Sequence, residues 1–134
     1  MKKVIDFLKE NSEMVLASSL NDKPRASILE YYIIDDSIIF ATSKESVKGH
    51  NLNLNKNVSL SVSSLPEFVT IDGHVKTPTD AEIEKFKKLM LEKHPDFKDL
   101  IEKGIFGTFL FCKVVIETAY FTDYRKAREA EIIK

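Results

Sequence analysis

The sequence predicts a mainly β protein, a closed or nearly closed antiparallel barrel of six strands with helices at its periphery. Two observations carry this prediction. Six strand-like segments, at residues 13–20, 25–34, 38–42, 57–64, 68–75 and 109–121, are separated by turn signals. One long helical pattern interrupts the series between the fifth and sixth. Closing the sheet hides strand edges that would otherwise pair with other chains. Composition by itself leaves a β-sandwich equally open.

Taken in order, residues 3–10 place Val4, Phe7 and Leu8 on one helical face, with lysine and glutamate opposite. Residues 13–20 form an apolar run of strand length. Asn21-Asp22-Lys23-Pro24 reads as a turn, because Asn and Asp satisfy their own backbone and Pro fixes φ. Residues 25–34, rich in Ile and Tyr, suit a pleated surface. Asp35-Asp36-Ser37 reads as a hairpin turn into Ile38-Ile39-Phe40-Ala41-Thr42. In residues 57–64, Val58, Leu60 and Val62 alternate with Ser59, Ser61 and Ser63, the mark of a half-buried strand.

Residues 68–75 form a further strand whose Asp72-Gly73 pair signals a bulge or bend. Thr79 with Glu82 makes a capping box, followed by Ile83, Phe86, Leu89 and Met90 at helical spacing. Pro95 interrupts that helix. Phe97, Leu100 and Ile101 indicate a second short helix ending at Gly104. Residues 109–121 are a long strand dense in Phe, Val and Ile, and the tail from 124 to 134 is charged.

With 134 residues, 43% of them hydrophobic and 31% charged, the chain fits one globular domain, residues 1–134, carrying a helical insertion at about 79–103. A net charge of -1 gives no clustered basic footprint for nucleic acid. No apolar run reaches the roughly 18 residues of a membrane span, and the first residues lack the pattern of a signal peptide. A cytoplasmic location is expected. Cys112, the single cysteine, excludes an intrachain disulfide.

Two segments hold candidate chemistry. At Ala41-Thr42-Ser43 a strand ends, and a short polar helix follows with Ser46 and Lys48 in its first turns. Ser43 is the expected N-cap. The free amides and positive dipole end of such a helix suit an anion, phosphate above all, and Lys48 adds a full charge. A plain capped helix with a solvated lysine is the simpler alternative. In the second segment Arg25 offers a bidentate fork to a phosphate or a substrate anion, or is simply a surface charge.

The order from Val15 to Ser64 resembles the flavin-binding split-barrel family, the pyridoxamine 5′-phosphate oxidase-like proteins. The likeness lies in Lys23-Pro24-Arg25-Ala26-Ser27, in the acidic turn followed by Ile38-Ile39-Phe40-Ala41-Thr42-Ser43, and in the Lys48-bearing helix running to Asn55 and Val58. It covers roughly residues 4–123, and its motifs are short. The resemblance implies a split β-barrel with FMN held between two subunits of a homodimer. It implies that Arg25, Ala26, Ser27, Ile28 and Leu29 lie along the isoalloxazine ring, with backbone groups at its polar edge. Ala41, Thr42, Ser43, Ser46 and Lys48 would hold the phosphate.

The implied activity is a flavin-dependent oxidoreductase acting on a small molecule, with a nicotinamide or another reduced carrier as electron donor. No side chain is assigned as acid or base. Val47 stands where many flavin-binding members carry an Arg before the lysine, and the Arg- and His-bearing carboxyl-terminal segment of true pyridoxamine phosphate oxidases has no counterpart. Pyridoxamine phosphate oxidation itself is therefore not expected. The alternative is a binding module without turnover, holding flavin, haem or a deazaflavin. His50, His74 and His94 share no metal-ligand spacing, and Cys112 reads as a buried inert thiol.

Overall fold

The computed structural model describes residues 1–126 and 129–134. Among these residues eight antiparallel strands form one curled sheet, accompanied by four α-helices. Helix α1 (Lys2–Lys9) leads into β1 (Glu13–Leu20), β2 (Lys23–Glu30), β3 (Tyr32–Ile34) and β4 (Ser37–Ser43). Helix α2 (Val47–Leu54) precedes β5 (Asn57–Ser64) and β6 (Glu67–Lys76). The insertion follows as α3 (Asp80–Lys93), a 3-10 turn at Pro95–Phe97, α4 (Lys98–Glu102) and a second 3-10 turn at Ile105–Thr108. Strands β7 (Phe109–Asp123) and β8 (Glu131–Ile133) complete the chain.

The strand order is β2-β1-β5-β6-β7-β4-β3, with β8 on β7. Its two ends, β2 and β3, are consecutive in the chain and separated by Tyr31 alone. One polypeptide stretch therefore meets both ends of the sheet, and the sheet has to curl for that to happen. Tyr31 makes the break: it is buried, and its hydroxyl donates to the Leu8 carbonyl at 2.6 Å. This corrects the strand count from six to eight. The segment at 25–34 is two strands, and the charged tail supplies β8, which pairs Ile132 and Ile133 with Tyr120 and Ala119.

Local chemistry explains the hairpins. Asn21, Asp22, Asp35 and Asp36 all take positive φ, between 50° and 62°, a conformation that Asn and Asp tolerate and two-residue hairpins require. The first turn is thus tighter than expected. Pro24 lies within β2 opposite Ser19, tolerated because β2 is an edge strand with no second ladder to feed. The register of β6 on β7 shifts between Asp72 and Gly73. A Cβ at Gly73 would sit 2.2 Å from the Val115 carbonyl oxygen, so the bulge closes only around glycine.

Both ends of the barrel are plugged. From α1, Val4, Ile5, Phe7 and Leu8 join Met14, Leu16, Phe40, Ile71 and Phe121 in the main core, and Leu52 of α2 enters the same core. A second, smaller core lies outside the sheet, where Phe86 of α3 packs edge-on against Tyr32 and Phe111 beside Ile34 and Ile39. The capping box is present: Glu82 accepts from the Thr79 amide at 2.9 Å, and its own amide donates to Thr79 Oγ1 at 3.2 Å. Glu82 also accepts from Lys113 Nζ of β7 at 2.8 Å, fastening the start of α3 to the sheet.

Candidate functional site

The two candidate segments meet at the end of the barrel closed by α2. In β1, Ser18 and Ser19 stand opposite Arg25 and Pro24 of β2. Asn55, at the end of α2, donates its side-chain amide to the Ser19 carbonyl at 3.2 Å and accepts from the Asn57 amide at 3.1 Å. Helix α2 is thereby tied to the strand end that carries Arg25. Arg25 lies close enough for its charge to act on Lys48. Burial of the amine, and then that neighbouring positive charge, hold Lys48 below the ordinary lysine range. Among the described residues neither cation has a carboxylate within ion-pair distance.

Hydroxyls line the same rim. Ser46, not Ser43, is the N-cap of α2: its Oγ accepts from the Gly49 amide at 3.0 Å and donates to the Ser43 carbonyl at 2.8 Å. The expected cap is displaced because β4 continues through Ser43, which pairs with Phe109 of β7. Thr42, buried, sits 3.3 Å from Ser46 across their hydroxyl oxygens. Ser43 is exposed, and its Oγ accepts from the Glu45 amide at 3.3 Å. Gly49 closes the arrangement, since a Cβ there would lie 2.2 Å from the Ser43 carbonyl oxygen. Any larger residue would push the helix N-terminus away from the strand end.

The remaining candidates separate. Arg25, Ser27 and Leu29 share one face of β2, and Ala26 and Ile28 the other. Leu29 packs against the main core, while Ile28 is 72% exposed. Ala41 packs outside the sheet beneath α3. Among the described residues strand β2 pairs only with β1, which leaves half of its backbone donors and acceptors open along residues 25–29. Side chains there point both ways; the continuous feature is this free backbone edge.

Two positions escaped the sequence reading. Gly49 carries a weak signal, a glycine in the first turn of a short helix in a chain with four glycines. Lys44 carries none: its amide donates to the Thr108 carbonyl at 2.9 Å and its Nζ to the Gly107 carbonyl at 3.2 Å, contacts made across the fold. Elsewhere, His74 pairs with Glu117 at 2.9 Å and His94 with Glu30 at 2.8 Å. Among the described residues no group of three His, Cys, Asp or Glu is placed to hold a metal. Burial pushes the Cys112 thiol up to about 12, so it is inert at neutral pH. Among the described residues no helix is long and apolar enough to cross a membrane.

This donor set, two unmatched cations with three hydroxyls and a helix N-terminus, fits an anion such as the phosphate of a nucleotide cofactor. Comparison with solved structures shows the same fold. A conserved hypothetical protein from Mycobacterium tuberculosis is 18% identical at a TM-score of 0.78, over 93% of this chain and 85% of its own. A haem-binding protein from Mycobacterium smegmatis is 16% identical at 0.78, over 98% of this chain and 56% of its own. An FAD-binding protein from Mesorhizobium loti is 20% identical at 0.65, over 88% of each chain. No curated protein matches the sequence. The family model of pyridoxamine 5′-phosphate oxidase matches residues 1–123. The chain belongs to the pyridoxamine 5′-phosphate oxidase family.

Proposed function

We propose that this protein binds FMN and works as a small flavin-dependent oxidoreductase on a small-molecule substrate, as a homodimer in the cytoplasm. The observation that carries the reading is Lys48 in the first turn of the Ser46-capped α2, with the charge of Arg25 acting on it and no carboxylate paired to either cation among the described residues. Two cations kept together without a carboxylate repel one another, and a bound phosphate removes that cost. Bound FMN would supply the electron chemistry. The chain's own residues bind and orient: Thr42, Ser43, Ser46 and Lys48 at the phosphate, the open backbone edge of residues 25–29 at the ring.

The dimer rests on a separate feature. Ile28, 72% exposed, stands opposite Val15, 42% exposed, on neighbouring strands. An exposed apolar pair on the sheet face beside an open strand edge suits cover by a second copy.

Lys48→Ala should weaken FMN binding by about 1–3 kcal/mol, the scale of a hydrogen bond to a charged group. Because phosphate needs the protonated amine, wild-type affinity should also fall with rising pH, beginning below the ordinary lysine value of 10.5. Unchanged affinity in the variant removes Lys48 from the site.

A second reading, a carrier of flavin, haem or deazaflavin without turnover, draws support from the structural likeness to a haem-binding protein and from Val47 in place of a second helix cation. The visible spectrum of freshly purified protein divides the cases. A Soret band favours a haem carrier; flavin bands leave the oxidoreductase and the flavin carrier, which oxidation of a reduced nicotinamide by the yellow protein then separates; colourless protein that ignores added FMN removes both flavin readings.

A further inference from the structure

No residue from 94 to 108 is buried, although this stretch runs the length of the barrel from the α1 end to the α2 end. Its apolar side chains, Phe97, Ile101, Ile105 and Phe106, are only half-buried, so the segment leans on its two anchors more than a core element does. At one end His94 Nε2 lies 2.8 Å from both carboxylate oxygens of Glu30, and Lys93 Nζ lies 3.4 Å from one of them. Glu30 ends β2, directly after the open backbone edge of residues 25–29. At the other end, the Thr108 and Gly107 carbonyls accept from the amide and Nζ of Lys44, inside the loop between Ser43 and Ser46.

Between these anchors the backbone is turned almost continuously. The Phe97 amide donates to the His94 carbonyl, Lys103 to Asp99, Gly104 to Ile101 and Gly107 to Gly104, all at 3.0–3.1 Å. Phe106 packs edge-on against Phe109, holding the last turn to β7. A chain of short turns transmits displacement better than a slack loop does, because each bond constrains the next.

We propose that residues 94–108 form a strap that positions both ends of the cofactor site, fixing the ring strand at Glu30 and the phosphate loop at Lys44. The inference rests on the flavin reading above for its ligand, but its mechanical half does not. His94 touches neither Lys44 nor the hydroxyl rim, so its influence there is indirect, and the strap is the stretch of chain that joins the two.

The test is amide hydrogen exchange on the full-length protein without added flavin, read at Lys44, whose amide is bonded to Thr108. His94→Ala should speed exchange there about two- to tenfold, the scale of one lost hydrogen bond. His94→Gln, which can still donate to Glu30, should restore most of the protection. The matched control is His74→Ala, which breaks a similar half-exposed pair with Glu117 on β6 and β7 and should leave Lys44 unchanged. With FMN added, His94→Ala should raise the dissociation constant by a comparable factor. Exchange at Lys44 that is the same in His94→Ala and wild type overturns the strap, whatever flavin does. A wild type that takes up no FMN overturns the flavin reading instead, while the exchange result still decides the strap.

Discussion

Strands β1 and β2 are neighbours of equal length with opposite lives. Strand β1 pairs on both sides, with β2 and β5, and buries Met14, Leu16 and Ser18. Strand β2 pairs on one side and leaves Lys23, Pro24, Arg25, Ala26 and Ile28 exposed. Exposed edges are usually blunted by charge or proline. Here Lys23, Pro24 and Arg25 guard only the first half, and the second half presents Ile28. Strand β1 is fixed by the core and by neighbours on both sides, whereas β2 keeps the open, part-apolar edge to which we assign the cofactor ring and a second copy.

The largest contrast should appear in stability. Leu16, 1% exposed, is enclosed by the main core, so Leu16→Ala should cost about 2–5 kcal/mol in urea denaturation. Ile28→Ala in dilute protein should stay within about 0.5 kcal/mol, as for a surface substitution, while raising the concentration at which light scattering detects dimer. Comparable losses at the two sites would mean that β2 is also a core strand.

A smaller effect belongs to the insertion. The Lys113 ammonium, and then the Thr79 amide of the capping box, hold the Glu82 carboxyl below the ordinary range. Glu82→Ala should cost about 1–2 kcal/mol, the scale of a lost cap, and should leave β1 and β2 protected in hydrogen exchange.

The smallest expected effect concerns the edge between β7 and the tail. The Arg125 side chain, hydrogen-bonded to Asp123 at 2.9 Å, brings that carboxyl down to about 2 from 3.8. A folded-state value below the unfolded one contributes stability that is complete above pH 3.8 and is lost as pH falls toward 2. Asp123→Asn should flatten this acid limb by lowering the part of the stability curve above pH 3.8, while the acid end stays nearly unchanged.

Much of this fold was legible because its signals are local. The Asn21-Asp22 and Asp35-Asp36 turns, the Val-Ser alternation of β5, the Asp72-Gly73 bulge and the Thr79–Glu82 box each rest on residues close in sequence. What escaped depends on distant partners. Tyr31 splits a continuous apolar run because Leu8 offers its hydroxyl an acceptor. The cap of α2 moves from Ser43 to Ser46 because Phe109 extends β4. At the candidate site, the hydroxyls and Lys48 could be named from spacing. Their meeting with Arg25 and the grip of Thr108 on Lys44 could not, since both are set by the closure of the barrel.

The claim that joins these observations is that the Arg25–Lys48 end of the barrel is built for a phosphate. Its most direct test is parallel titration of the protein with FMN and with riboflavin, which differ only in that group. FMN should bind more tightly, and Lys48→Ala should shrink the difference by roughly ten- to a hundredfold, the fold-change equivalent of a charged hydrogen bond. Equal affinity for FMN and riboflavin in the wild type would contradict it.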